Sequence, residues 1–133
     1  MLTPITALYA GLLGFISLAL AGLVVRARGS ENVIFGDGAN IVVLQRIRVH
    51  GNFVEYVPLA LLLMLVLELN GASRLVMNGL GAALVIGRVL HAFGLSSSTG
   101  TTVGRFVGTV VTWLVIATAS GLAVYAYFSA SPQ

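Results

Sequence analysis

A chain whose first 25 and last 28 residues carry no charged side chain has more apolar surface than a soluble core of 133 residues can bury. A helix crossing the hydrocarbon of a bilayer needs about 20 mainly apolar residues, and four stretches qualify, near 5–25, 40–70, 75–95 and 105–128. In lipid a spanning segment must satisfy its own backbone N–H and C=O groups, which makes each stretch a helix. The expected architecture is an all-α integral membrane bundle of four transmembrane helices, one domain over 1–133. Thr3 is placed to cap the first helix, with Pro4 in its first turn. Arg26 and Arg28 follow the first apolar stretch and no cation precedes it, the pattern of a retained span and not of a cleaved leader.

Orientation follows from the seven arginines, since the chain has no lysine. Arg26, Arg28, Arg46, Arg48 and Arg105 flank the first and third connections, whereas Arg74 alone flanks the second. The positive-inside rule then places those two connections in the cytoplasm and both termini outside, as expected of a multi-pass protein of the plasma membrane. The net charge of +3 reflects this bias and gives no basic patch with interleaved aromatics, so nucleic acid is not an expected partner. No cysteine is present, which excludes disulfides and cysteine nucleophiles. Two histidines and no paired carboxylates at ligand spacing give no metal site. Gly36-Asp37-Gly38 marks a turn leading into the second helix.

Glu55 and Glu68 in the second helix, and Arg88 and His91 in the third, stand at membrane depth. Ionisable groups there are costly and usually serve a site or pathway. The second and third helices should therefore turn their polar faces to protein or water, while the first and fourth face lipid. The connection at 71–73 is tight, so these two helices are antiparallel neighbours. Counting outward from it sets Glu55 level with Arg88, as its counter-ion, and Asn52 level with His91. Glu68 sits near the outer end, within reach of headgroup water or Arg74. Gly100, Gly104, Gly108 and Thr112 form a small-residue stripe for helix packing or oligomerisation. Trp113 falls mid-span, a position for packing against other helices.

Arg48, Asn52, Glu55, Tyr56 and Leu59 recur at intervals of three and four, one face of a helix. Pro58 removes the partner of the Val54 carbonyl and is expected to open space beside Glu55. A guanidinium fork, an amide and a carboxylate in sequence suit a zwitterionic ligand with carboxylates and an amino group. The same groups serve equally well to tie helices or subunits together, and spacing alone leaves both readings open.

The run Arg48-Val49-His50-Gly51-Asn52-Phe53-Val54-Glu55-Tyr56-Val57-Pro58 resembles the signature of the MAPEG family, membrane-associated proteins of eicosanoid and glutathione metabolism, and His50-Gly51 resembles its bacterial branch. The resemblance implies a homotrimer of four-helix subunits with glutathione, as co-substrate, held between neighbours near the cytoplasmic face. By position, Arg48 would bind a glutathione carboxylate, Asn52 its backbone and Glu55 its α-amino group, with Tyr56 supporting the same wall. Arg88 and His91 belong to the same candidate binding set. Arg105 would be the catalytic residue that stabilises the thiolate. Tyrosines that line the site in animal members are replaced by His91 and Leu95.

Three functions stay open. The first is a glutathione transferase or glutathione-dependent peroxidase acting on hydrophobic small molecules. The second is a non-catalytic lipid-binding or scaffold protein of the same fold. The third is a transporter or proton pathway through Glu55, Arg88 and His91, disfavoured because no chain of titratable groups crosses the bilayer. His91 reads either as a general base or as a structural hydrogen-bonding residue.

Overall fold

A computed structural model describes residues 2–129. Four helices follow one another: α1 Pro4–Ser30, α2 Ile41–Leu69, α3 Arg74–Ser97 and α4 Val103–Ser129. The shortest, α3, has 24 residues, and at 1.5 Å per residue it rises about 36 Å, enough for a hydrocarbon core of about 30 Å. Each helix is long and apolar enough to span a membrane. The start of α1, the end of α4 and the 70–73 connection lie at one end. The opposite end carries Arg26, Arg28, Arg46, Arg48 and Arg105 and is called the arginine-rich end below.

Helix α1 runs five residues past the end expected from its apolar stretch, through both arginines. Hydropathy marks where hydrocarbon ends; the backbone ladder continues beyond it and closes with Glu31 N–H on the Ala27 carbonyl and Val33 N–H on that of Arg28. Thr3 makes no side-chain cap at the other end. Glu68 of α2 does that work instead: its two carboxylate oxygens accept from the backbone N–H groups of Ile5 at 2.9 Å and Thr6 at 2.7 Å. A first turn at the edge of lipid has no other donor sink, and the positive end of the helix favours an anion there. Glu68, expected to face headgroup water or Arg74, is thereby a link between the start of α1 and the end of α2.

The connection from α1 contains the expected turn, with Gly36, Gly38 and Ala39 all at positive φ. The Asp37 carboxylate accepts from Ala39 N–H, and Asn40 caps α2 by accepting from Val42 and Val43 N–H.

Helices α2 and α3 form the middle of the bundle; α1 packs against both on one side, α4 against both on the other, and among the described residues α1 and α4 do not meet. The core gathers Leu13 of α1, Phe53 and Met64 of α2, Leu84 of α3 and Val115 of α4. The closest approach is between α3 and α4. A Cβ on Gly108 would stand 2.5 Å from the Gly87 carbonyl oxygen and 2.6 Å from His91 N, and one on Gly94 would collide with the backbone of Arg105. The Gly104, Gly108 and Thr112 stripe therefore packs within the subunit, against α3. Gly100 lies in the preceding connection, outside it. Trp113 is 54% exposed, so it does not pack into the subunit's own core.

Candidate functional site

Arg88 is 1% exposed in the middle of the bundle, and its surroundings depart from the expected ion pair. Its Nη2 donates to Asn52 Oδ1 at 2.7 Å and lies 3.3 Å from His91 Nδ1; its Nη1 donates to Thr112 Oγ1 at 3.4 Å. The guanidinium also stands over the rings of Phe53 and Tyr56, 5.7 and 6.0 Å from their centroids. Its Nε is buried without a hydrogen-bond partner. Glu55 is exposed on the outer face of α2 and forms no ion pair with Arg88 among the described residues. The expected register matched backbone levels, but an arginine side chain can reach a full 5.4 Å turn along its neighbour. It does so here, taking the amide of Asn52 in place of the carboxylate one turn away.

This network fixes three elements at once. A guanidinium only donates, so the Nδ1 of His91 must be the acceptor, which leaves the proton of the neutral ring on Nε2. Thr112 accepts from Arg88 and donates its own hydroxyl hydrogen to the Gly108 carbonyl at 2.8 Å. Arg88 thus orients Asn52 of α2, His91 of α3 and Thr112 of α4.

Asn52 and His91 also line a cavity of about 190 Å³ that opens toward the arginine-rich end between α2, α3 and α4. Arg48 enters it from α2 and Arg105 from α4, while Leu95 and Thr99 complete the α3 side. The glycine contact between Gly94 and the start of α4 sets Arg105 this close to α3. Arg105 is further held by its backbone N–H on Thr102 Oγ1 at 3.2 Å and by its Nη1 on the Gly100 carbonyl at 3.4 Å. Sequence reasoning missed Gln45, whose Nε2 donates to the Leu95 carbonyl at 2.7 Å and closes the cavity rim. Its signal was available: Gln45 precedes Arg48 by three residues and shares its face.

Of the seven expected site residues, Arg48, Asn52, His91 and Arg105 meet in this cavity. Arg88 stands directly behind it. Glu55 and Tyr56 lie outside its lining, Glu55 on the exposed face of α2 and Tyr56 half-buried beside the Arg88 guanidinium. Pro58 lies inside an unbroken α2 and lines a cavity on the α1 side with Leu13, Ser17, Val54 and Leu61, and not with Glu55. The cavity that holds the four residues has two guanidiniums and, among the described residues, no carboxylate, so it attracts anions. At about 190 Å³ it is smaller than the pockets of about 300–1,000 Å³ that enclose whole small molecules. That volume has room for only part of such a molecule.

Four spanning helices with a cationic cavity toward one end define an integral membrane protein. The MAPEG family model matches residues 6–125, and the chain belongs to that family. It is also similar to the inner membrane protein YecN from two strains of Escherichia coli, 40% identical in each case over 90 residues, 68% of this chain and 69% of the relative.

Proposed function

We propose that this inner membrane protein binds glutathione at the cavity between α2, α3 and α4 and acts as a glutathione S-transferase or glutathione-dependent peroxidase on hydrophobic substrates. One observation carries the reading: Arg48, Asn52, His91 and Arg105 converge on one cavity that has two cations and no carboxylate. A tripeptide with two carboxylates and a thiol matches that donor set. Arg48 takes a carboxylate through its fork, Asn52 and the Nε2–H of His91 serve the peptide groups, and Arg105 stands beside the sulfur.

A nearby guanidinium favours the charged form of the thiol and so keeps it a thiolate at neutral pH. The thiolate lone pair then attacks an electrophilic carbon, forming a C–S bond as the leaving group departs, or attacks the terminal oxygen of a lipid hydroperoxide, forming an S–O bond as the O–O bond breaks and the alkoxide takes a proton to leave as the alcohol. A second glutathione thiol then reduces the sulfenic acid, giving the disulfide and water. No covalent bond to the protein is needed. Lipid on either side of the bundle delivers the apolar acceptor.

The cavity is too small for the whole tripeptide, and Glu55 lies exposed at membrane depth, where a bare carboxylate is costly. Both facts support a homotrimer in which a neighbouring copy covers this face of α2 and Glu55 receives the ligand's ammonium group. The gathering of five arginines at one end supports cytoplasmic placement of the cavity, with both termini outside.

Calorimetric titration of the detergent-purified protein with reduced glutathione tests the reading, with an ultraviolet difference spectrum to detect the thiolate. Saturable binding with a thiolate band is expected; no binding at millimolar concentration overturns it. A second reading, a lipid-binding or scaffold role without chemistry, is favoured by one feature. The α3 wall of the cavity offers His91 and Leu95 and no tyrosine hydroxyl. Glutathione binding with neither a thiolate band nor turnover would select it.

A further inference from the structure

Away from that cavity, a groove of about 290 Å³ runs between α1 and α3. Ile16, Leu20 and Leu23 form its α1 wall and Val89 and Phe93 its α3 wall; Arg46 of α2 and Ser96 touch it toward the arginine-rich end, and its surface is apolar almost throughout. The two walls run parallel toward the arginine-rich end over eight residues each, from Ile16 to Leu23 and from Val89 to Ser96. That is about 10 Å of depth, beginning at the arginine-rich end and stopping inside the hydrocarbon. Arg46 is two residues before Arg48 and so points to a different side of α2, here toward this groove. Among the described residues it has no carboxylate partner. Arg26 follows Leu23 by three residues, one turn further out on the same side of α1.

From this we infer that the α1–α3 groove is a site for an acidic phospholipid, with one acyl chain between the helices and the headgroup phosphate on Arg46. An apolar wall alone selects nothing, because lipid tails are as apolar as the side chains they replace. Selection must come from the headgroup. There a guanidinium donates charge-assisted hydrogen bonds to phosphate oxygens, and Ser96 adds a neutral donor. Arg46 is the one cation lining the groove and, among the described residues, no carboxylate lines it, which complements an acidic headgroup and gives a zwitterionic one less. The site shares no lining residue with the Arg105 cavity, so it stands whether or not glutathione binds.

Native mass spectrometry of the full-length protein, incubated with equal amounts of phosphatidylglycerol and phosphatidylcholine of identical chains, reads the selectivity directly. The parent is expected to retain the acidic lipid with a preference of about fivefold, the contribution of one basic residue near the surface. Arg46→Gln should bring the ratio close to one, Arg46→Lys should keep most of it, and Arg74→Gln, at the opposite end, should leave it unchanged. Ala92→Phe, which fills the groove, should reduce retention of both lipids. A ratio of one in the parent overturns the inference, as does a preference that survives Arg46→Gln or is lost equally in Arg74→Gln. A change in subunit number with Ala92→Phe also overturns it, since another copy would then be the occupant.

Discussion

Replacing Glu68 by alanine should loosen the start of α1 although the residue lies at the end of another helix. The carboxylate accepts from two consecutive N–H groups at 2.9 and 2.7 Å, on residues that are themselves buried. A hydrogen bond to a charged group contributes roughly 1.5–3 kcal/mol. Glu68 is only half-buried, so the lower figure applies to each, about 3 kcal/mol for the pair. That corresponds to roughly a hundredfold larger opening constant for the first turn. Amide hydrogen exchange of Ile5 and Thr6 in detergent or nanodiscs reads it, since exchange through local opening scales with that constant. Glu68→Gln keeps one acceptor oxygen and should show about half the loss in free energy. Thr3→Ala is the sharp contrast: an N-cap threonine ordinarily contributes about 1 kcal/mol, but Thr3 makes no cap here, and the change should fall within about 0.5 kcal/mol. Parent-like exchange in Glu68→Ala, or equal acceleration in Thr3→Ala, would refute the assignment of the cap.

Gly94→Ala should drive the start of α4 away from α3, because the new methyl meets Arg105 backbone; a loss of about 1–3 kcal/mol in mixed-micelle unfolding, with weakened glutathione binding, is expected. Arg88→Ala removes the donor to Asn52 and His91 and leaves a hole in a buried position, so unfolding should shift by about 3 kcal/mol. Arg88→Met, which fills the space without charge, should cost clearly less by the same assay. Arg48→Ala should weaken glutathione binding in calorimetry with the oligomer intact. Arg105→Ala should instead preserve binding and abolish the thiolate band.

Four helices and their order were legible because hydropathy over 20 or more residues leaves few alternatives for a chain in lipid. Helix ends were less so: at α1 the apolar stretch stops at Val25, while the hydrogen-bond ladder runs to Ser30. The candidate site was legible where short-range spacing governs it, as for Arg48 and Asn52 on one face of α2. It was not legible where a long side chain chooses among partners on other helices. Glu55 and Glu68 show this most plainly. Charge gave Glu55 to Arg88, and position left Glu68 to headgroup water or Arg74. Glu55 stands exposed instead, and Glu68 serves two backbone amides more than 60 residues away in sequence. Charge complementarity in a sequence counts side chains only, and at the edge of a bilayer unsatisfied backbone groups compete for the same carboxylate.

The Glu68 link also bears on how the chain is assembled. Helix α1 is made first, yet the acceptor for its opening amides arrives only when the whole of α2 has crossed and its far end has emerged beside Pro4. Until then the beginning of α1 depends on interfacial water and is free to slide or tilt. Completion of the first hairpin fixes the depth of both helices together, so that α1 and α2 enter the bundle as one braced unit on which α3 and α4 are then laid.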